Sequence, residues 1–272
     1  MPTRAKTPTP DPDLNAVLLE LVKSIQTILG DNFIAAYLQG SFAIGDWDIY
    51  SDVDFLVAID REISGEELPA LQAMHARIYN LESSWAKHLD GSYFPREILK
   101  HGDPTKKPLL YLDNAHDALI RSDHDNSLVV RWMVREHGIT LAGPEPRELM
   151  DPVSADDLRQ EVRTTMQDWA EDIFSGRWPM NNRWAQPFAV LSYCRMLHTL
   201  QTGGIHSKPA GARWAKSALD KGWASLIQRA SDERPDPSGK VRQSADPDDL
   251  RRTIEFIRYA LAVSRQSQNN RR

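Results

Sequence analysis

Apolar residues recur at three- and four-residue spacing from Leu14 to Leu29, with Asp13 ahead of them and Gly30 behind. That pattern predicts an amphipathic helix with a glycine stop. The period then shortens. Residues 33–38 and 53–59 are short apolar runs bounded by turn formers, and both read as strands. Helical spacing returns over 64–81, opened by Ser64 and Glu67 in capping-box order. Residues 87–94 form a third strand, although Gly91 lies inside it, and 109–112 a short edge strand. A further helix covers 125–137, closed by Gly138. Beyond 142–154, a stretch rich in proline and turn formers, only helical periodicity remains. Helices are predicted from Ser154 to about Phe174, up to Gly203-Gly204, from Lys208-Pro209, within 222–234, and from Asp246 to about Ser264.

The pattern is α+β. A small domain over 13–148, a mixed sheet flanked by helices, is followed by an all-α bundle over 149–272. The proline-rich residues 1–12 read as a disordered lead-in, and 232–240 as an exposed linker. With 272 residues and 41% hydrophobic content the chain can bury a sizeable core. A single cysteine, Cys194, excludes an internal disulfide framework and fits a reducing cytoplasm. Its apolar neighbours predict a buried, inert thiol. No apolar stretch is long enough to span a bilayer and no signal-like segment opens the chain, so no membrane partner is expected.

Charge divides the chain. Up to Met150 there are 23 acidic and 14 basic residues, and beyond it 15 and 19, so a net −9 precedes a net +4. An acidic metal-holding half and a half supplying cations to phosphates would show this division, as would ordinary surface variation. A sequence pI near 5.9 without a basic stripe argues against nucleic acid as a partner. Asp123-His124-Asp125 lacks further ligands at metal spacing and is expected to be a helix N-terminal charge cluster.

The densest chemistry lies between Gly40 and Asp54. Gly40-Ser41 offers a backbone that can approach a phosphate and a hydroxyl to bond it. After ten residues come Asp52 and Asp54, which on a strand point to the same face and suit a divalent metal. Together these parts describe metal-assisted transfer of a nucleotidyl group.

The spacing G-S-x10-D-x-D resembles the signature of the polymerase-beta-like nucleotidyltransferase superfamily. Residues 195–215 (R-M-L-H-T-L-Q-T-G-G-I-H-S-K-P-A-G-A-R-W-A), 134–144 and the final I-E-F-I-R-Y-A narrow the resemblance. They look like aminoglycoside 3″-adenylyltransferases of the streptomycin/spectinomycin type, and the similarity runs from Phe33 to Tyr259. The resemblance implies a nucleotidyltransferase domain followed by a helical domain that completes the ATP and acceptor cleft. It implies ATP as co-substrate, two Mg2+ ions, and AMP transfer to an antibiotic hydroxyl with release of pyrophosphate. A third carboxylate on a neighbouring strand is implied as base and metal ligand. Where the family typically has Glu, this chain offers Asp90, one methylene shorter, with Glu82 as a poorer fallback at a helix end. Arg195, Lys208 and Tyr259 fall where the family contacts ATP, beside Gly40 and Ser41.

The acceptor pocket departs from the family. His116 falls near its aromatic position; Trp178, Asn181 and Trp184 lie near its acidic cleft segment without the acidic pair. Asp113, Asp117 and Asp123 remain to attract a cationic, hydroxylated acceptor. His116, Asp117, Asn181 and Trp184 are the candidate pocket. Two other readings stay open: the same chemistry on a non-antibiotic acceptor, and a nucleotide-binding regulatory or antitoxin-like module without catalysis. A monomer is the default expectation.

Overall fold

The computed structural model describes residues 7–234 and 240–269. It divides into two compact units between Val153 and Ser154.

The first unit opens with α1 (Pro12–Leu29). Asp11 caps it, accepting from the N–H groups of Asp13 at 2.9 Å and Leu14 at 3.0 Å, and from Trp85 Nε1 at 3.0 Å. The lead-in therefore needs correcting over residues 7–12. Thr9 is buried, with its N–H and hydroxyl bonded to Asn15 Oδ1. Asp-Pro at a helix start is a cap followed by proline in the first turn, which composition alone reads as disorder. Residues 1–6 lie outside the described residues.

Six strands follow: β1 (Phe33–Leu38), β2 (Val53–Ile59), β3 (Leu89–Pro95), β4 (Leu109–Leu112), β5 (Leu119–Ser122) and β6 (Ile139–Ala142). They form one mixed sheet of order β5-β4-β3-β2-β1-β6, in which only β2 and β3 run parallel. Between them lie α2 (Gly40–Ala43), α3 (Glu67–Tyr79), α4 (Arg96–His101), α5 (Leu128–His137) and α6 (Pro146–Leu149). The strand period sorts the sheet into two faces. Phe55, Val57 and Ile59 pack with Leu14, Leu18, Leu21 and Ile25 of α1 and with Leu71, Met74 and Ile78 of α3. Leu56, Ala58 and Phe94 pack on the other face with Leu99, Val134 and Met150. Because Met150 belongs to that core, the unit runs past the Glu148 at which the sequence reading ended it.

Helix boundaries differ from expectation in two places. Glu67 N–H donates to Ser64 Oγ at 3.2 Å and Ser64 N–H to Glu67 Oε2 at 2.7 Å, the reciprocal capping box, but the helical turns begin at Glu67. The helix expected from 125 begins at Leu128, capped by Ser127. Asp125 is instead buried outside it, which corrects the reading of 123–125 as a helix-end charge cluster.

The second unit is helical: α7 (Ala155–Phe174), α8 (Ala185–Thr202), α9 (Lys208–Ala218), α10 (Ala224–Asp232) and α11 (Pro247–Asn269). Helix α8 is its centre and buries Ala189, Val190, Tyr193, Cys194, Leu197 and Leu200. Burial pushes the Cys194 thiol up to about 12, so it stays protonated and inert. Gly203 ends α8 in the left-handed conformation that favours glycine. Of the expected linker, residues 235–239 lie outside the described residues, while Glu233 pairs with Arg183 at 2.8 Å. Among the described residues no helix is long and apolar enough to cross a membrane.

Candidate active site

Alternation along β2 and β3 places the chemistry. Asp52 and Asp54 share the parity of Leu56 and Ala58, and Asp90 shares that of Ser92 and Phe94. All three carboxylates thus lie on the face that packs against Val134 and Met150, at the end of the sheet where that core stops. Asp54 stands opposite Asp90 in the parallel β2–β3 pairing. Gln39 N–H donates to the Asp54 carbonyl at 2.8 Å, fixing Gly40 beside it. Gly40 has φ +62°, and a Cβ there would lie 1.9 Å from Asp54 Oδ2. Only glycine fits.

The ten residues between Ser41 and Asp52 are a folded loop. Trp47 stacks on Phe42 at 4.8 Å between ring centres, and Trp85 meets both edge-on. Asp48 Oδ1 accepts the Tyr50 N–H, and Ser51 Oγ accepts the Asp48 N–H, each at 2.9 Å. Ser51, so held, delivers Asp52 to the start of β2.

Donors surround the carboxylates. Tyr111 hydroxyl lies 3.2 Å from Asp90 Oδ2 and 3.2 Å from Asp113 Oδ1. Asn114 N–H donates to Asp90 Oδ2 at 3.3 Å, and the Asn114 carboxamide donates to Asp52 Oδ1. A further carboxylate, Asp125, accepts from Ser92 Oγ at 2.7 Å. Burial raises Asp125 above the usual carboxylate range. Burial also pushes Asp90 up to about 9, with the charges of Asp54, Asp125 and Asp52 adding to it. Tyr111 is raised as well, by burial and by Asp90, Asp113 and Asp125, so its hydroxyl remains a donor.

Crowded carboxylate oxygens with an Asp forced toward its neutral form are what a hard divalent cation relieves, so the donor set fits Mg2+. Among the described residues no three His, Cys, Asp or Glu side chains already stand at metal-ligand spacing. Asn114 and Tyr111 engage the carboxylates instead.

In the helical unit, Arg195 lies on α8 and Lys208 opens α9. Gly211 brings the helices together: a Cβ there would lie 2.7 Å from Arg195 Cα. Lys208 Nζ sits 4.4 Å from the centre of the Phe188 ring. Tyr259 accepts the Asp220 N–H at 3.1 Å and packs its ring on Trp223, so its hydroxyl supports the α9–α10 turn.

The acceptor candidates fall on two elements. His116 and Asp117 are in the 113–118 loop after β4, where His116 Nδ1 is 3.0 Å from the Asn114 carbonyl and 3.6 Å from Asp113 Oδ2. Asp117 gives its carbonyl to Gln72. Asn181 and Trp184 precede α8; Asn181 carbonyl accepts from Ala245 N–H, and Trp184 stacks on Phe188 at 4.7 Å. Ser92, Tyr111, Asn114 and Asp125 were not singled out as site residues from the sequence. Ser92 and Tyr111 could have been, since strand parity puts Ser92 on the Asp90 face and Tyr111 pairs with it across β3–β4.

The chain is similar to known proteins in sequence and in fold. The nucleotidyltransferase domain pattern matches residues 19–103, and that of the aminoglycoside adenylyltransferase C-terminal domain matches 148–261. A spectinomycin 9-adenylyltransferase of Staphylococcus aureus is 25% identical over 224 residues, covering 78% of this chain and 82% of its own. An aminoglycoside (3'') (9) adenylyltransferase of Shigella flexneri is 23% identical over 91% of this chain and 93% of its own. The crystal structure of spectinomycin adenyltransferase AAD(9) from Enterococcus faecialis, solved with ATP and spectinomycin, shares the fold with a TM-score of 0.68. It is 14% identical, covering 91% of this chain and 98% of that one.

Proposed function

We propose that the chain is a nucleotidyltransferase of the aminoglycoside adenylyltransferase family and moves AMP from ATP to a hydroxyl of an aminoglycoside-type antibiotic. The observation that carries the reading is the pairing of Asp54 with Asp90 on adjacent parallel strands, with Asp52 on the same face. The acceptor oxygen forms a bond to the α-phosphorus, the bond from that phosphorus to the bridging oxygen breaks, and pyrophosphate leaves. The acceptor's proton passes to the Asp90 carboxylate. Mg2+, when bound, would supply charge neutralisation and polarisation of the phosphate, and Asp52, Asp54 and Asp90 are the residues that would hold it. Gly40 leaves room for close backbone approach, and the Ser41 hydroxyl is offered to a phosphate. Arg195 and Lys208 are assigned to the triphosphate, by guanidinium chelation and ammonium neutralisation. Asp113, Asp117 and His116 give the acceptor side a polar, acidic loop suited to a cationic antibiotic.

The test incubates purified protein with ATP, Mg2+ and a panel containing spectinomycin, streptomycin and hygromycin. Expected is an antibiotic–AMP adduct by mass spectrometry with equimolar pyrophosphate. Adducts only on a non-antibiotic hydroxyl compound would move the reading to another acceptor. ATP binding without turnover on any acceptor would replace it with a non-catalytic module.

A further inference from the structure

An aspartate turns on two side-chain torsions, so the oxygen that takes a proton is placed by whatever holds its partner oxygen. Two donors converge on Asp90 Oδ2: the Tyr111 hydroxyl at 3.2 Å, whose one proton is shared with Asp113 Oδ1 at the same distance, and the Asn114 N–H at 3.3 Å. Among the described residues no hydrogen bond reaches Oδ1. The Asn114 carboxamide spans to the other strand, donating to Asp52 Oδ1, while its own oxygen lies 3.2 Å from His88 Nδ1. One residue thus touches carboxylates on both sides of the β2–β3 pair.

The backbone beside it is strained. Ala115 adopts φ 63°, a left-handed conformation rare outside glycine and Asn. Such strain persists only where neighbours over-determine it. Here Ala115 N–H donates to the Lys87 carbonyl at 3.1 Å, and Tyr79 hydroxyl donates to the Ala115 carbonyl at 3.4 Å. Asn114 is therefore pinned from the Asp90 side, the Asp52 side and the following residue.

We propose that Tyr111 and Asn114 are positioning residues for the adenylyl transfer, holding Asp90 by Oδ2 so that Oδ1 is left to take the acceptor's proton. Asn114 also ties the acidic 113–118 loop to the catalytic carboxylates, so that one short segment sets both acceptor and base. The inference rests on the transfer reaction proposed above.

Tyr111→Phe and Asn114→Ala are compared with wild type in steady-state adenylylation, then rebuilt in an Asp90→Glu background. Each single variant is expected to lose about 10- to 100-fold in kcat, with KM for ATP within about twofold and an unchanged thermal midpoint. In the Glu background, where the longer carboxylate no longer answers to the same donors, Tyr111→Phe is expected to cost less than about threefold. A purely structural tyrosine would cost the same in both. Independently of turnover, exchange of the Asn114 amide followed by NMR is expected to quicken at least about tenfold in Asp90→Ala. Wild-type kcat in both single variants, equal penalties in the two backgrounds, or unchanged exchange would each overturn the inference. A wild type that transfers no AMP would sink the proposed function, while the exchange rate would still decide whether Asp90 holds Asn114.

Discussion

Gly40 and Asp54 constrain each other within van der Waals distance. A methyl group at position 40 would meet Asp54 Oδ2 at 1.9 Å on a backbone with φ +62°, so Gly40→Ala must displace the carboxylate or the turn. The expected result is a loss of at least about 100-fold in adenylylation at a stability cost of about 1–3 kcal/mol. Half-normal activity in that variant, measured beside its thermal midpoint, would mean that Asp54 need not stay where it is. Asp54→Asn separates charge from shape. It keeps the side-chain outline but removes one of the charges that raise Asp90, so activity should fall about 1000-fold while the cation-free protein melts no lower than wild type. Persistence of metal-dependent transfer would refute the site. The i, i+2 aspartates could be read directly from sequence because strand parity is a local rule. Asp90 needed the resemblance. Asn114 and Asp125 could be found by neither route, since their partners, Asp52 and Ser92, are 62 and 33 residues away and meet them only through the sheet.

Strands β1, β2 and β4 could be read as apolar runs because each is largely buried on both faces of the sheet. The outer strands could not. In β5, Ile120 and Arg121 are exposed, and β6 is four half-buried residues directly behind a helix, so neither carries a period strong enough to declare itself. Gly91 weakened the reading of β3, yet it is the reason the strand can pair as it does. A Cβ there would stand 2.1 Å from the Phe55 carbonyl oxygen and 2.7 Å from the Phe55 ring. Close approach of neighbouring backbones is a common use of glycine within a strand. Gly91→Ala must therefore push β3 off β2 beside the Asp54–Asp90 pair. Urea unfolding is expected to show about 3 kcal/mol of destabilisation, with activity falling further than stability explains. A change under about 0.5 kcal/mol would show that the two strands part without cost.

Titration joins the active site to the stability of the protein as a whole. Asp90 stands near 9 in the fold against an ordinary 3.8, so between those values the folded chain keeps a proton that the unfolded chain has released. Its contribution to stability therefore declines as pH rises through that window, by about 1.4 kcal/mol per unit. His75 works the other way. Burial in the α3–sheet core, with Nε2 at 2.8 Å from the Tyr93 hydroxyl, lowers it from 6.5 to about 3. The unfolded chain then takes up a proton below pH 6.5 that the folded one refuses, and stability is lost as pH falls toward 3. From 6.5 down to 3.8 opposite slopes meet: Asp125, also raised by burial, acts with Asp90, and His198, lowered by burial to about 4, acts with His75. Above 6.5 the histidines no longer contribute and the slope of the raised carboxylates remains, so the cation-free protein should lose stability up to about pH 9. A divalent cation favours the carboxylate form, so its binding there releases a proton and tightens as pH rises. The thermal midpoint in Mg2+ minus that in a chelator is thus expected to widen from pH 6.5 to 8.5 in wild type and to stay level in Asp90→Asn. An equal Mg2+ shift at both pH values in wild type would show that the Asp90 proton is not what the cation displaces.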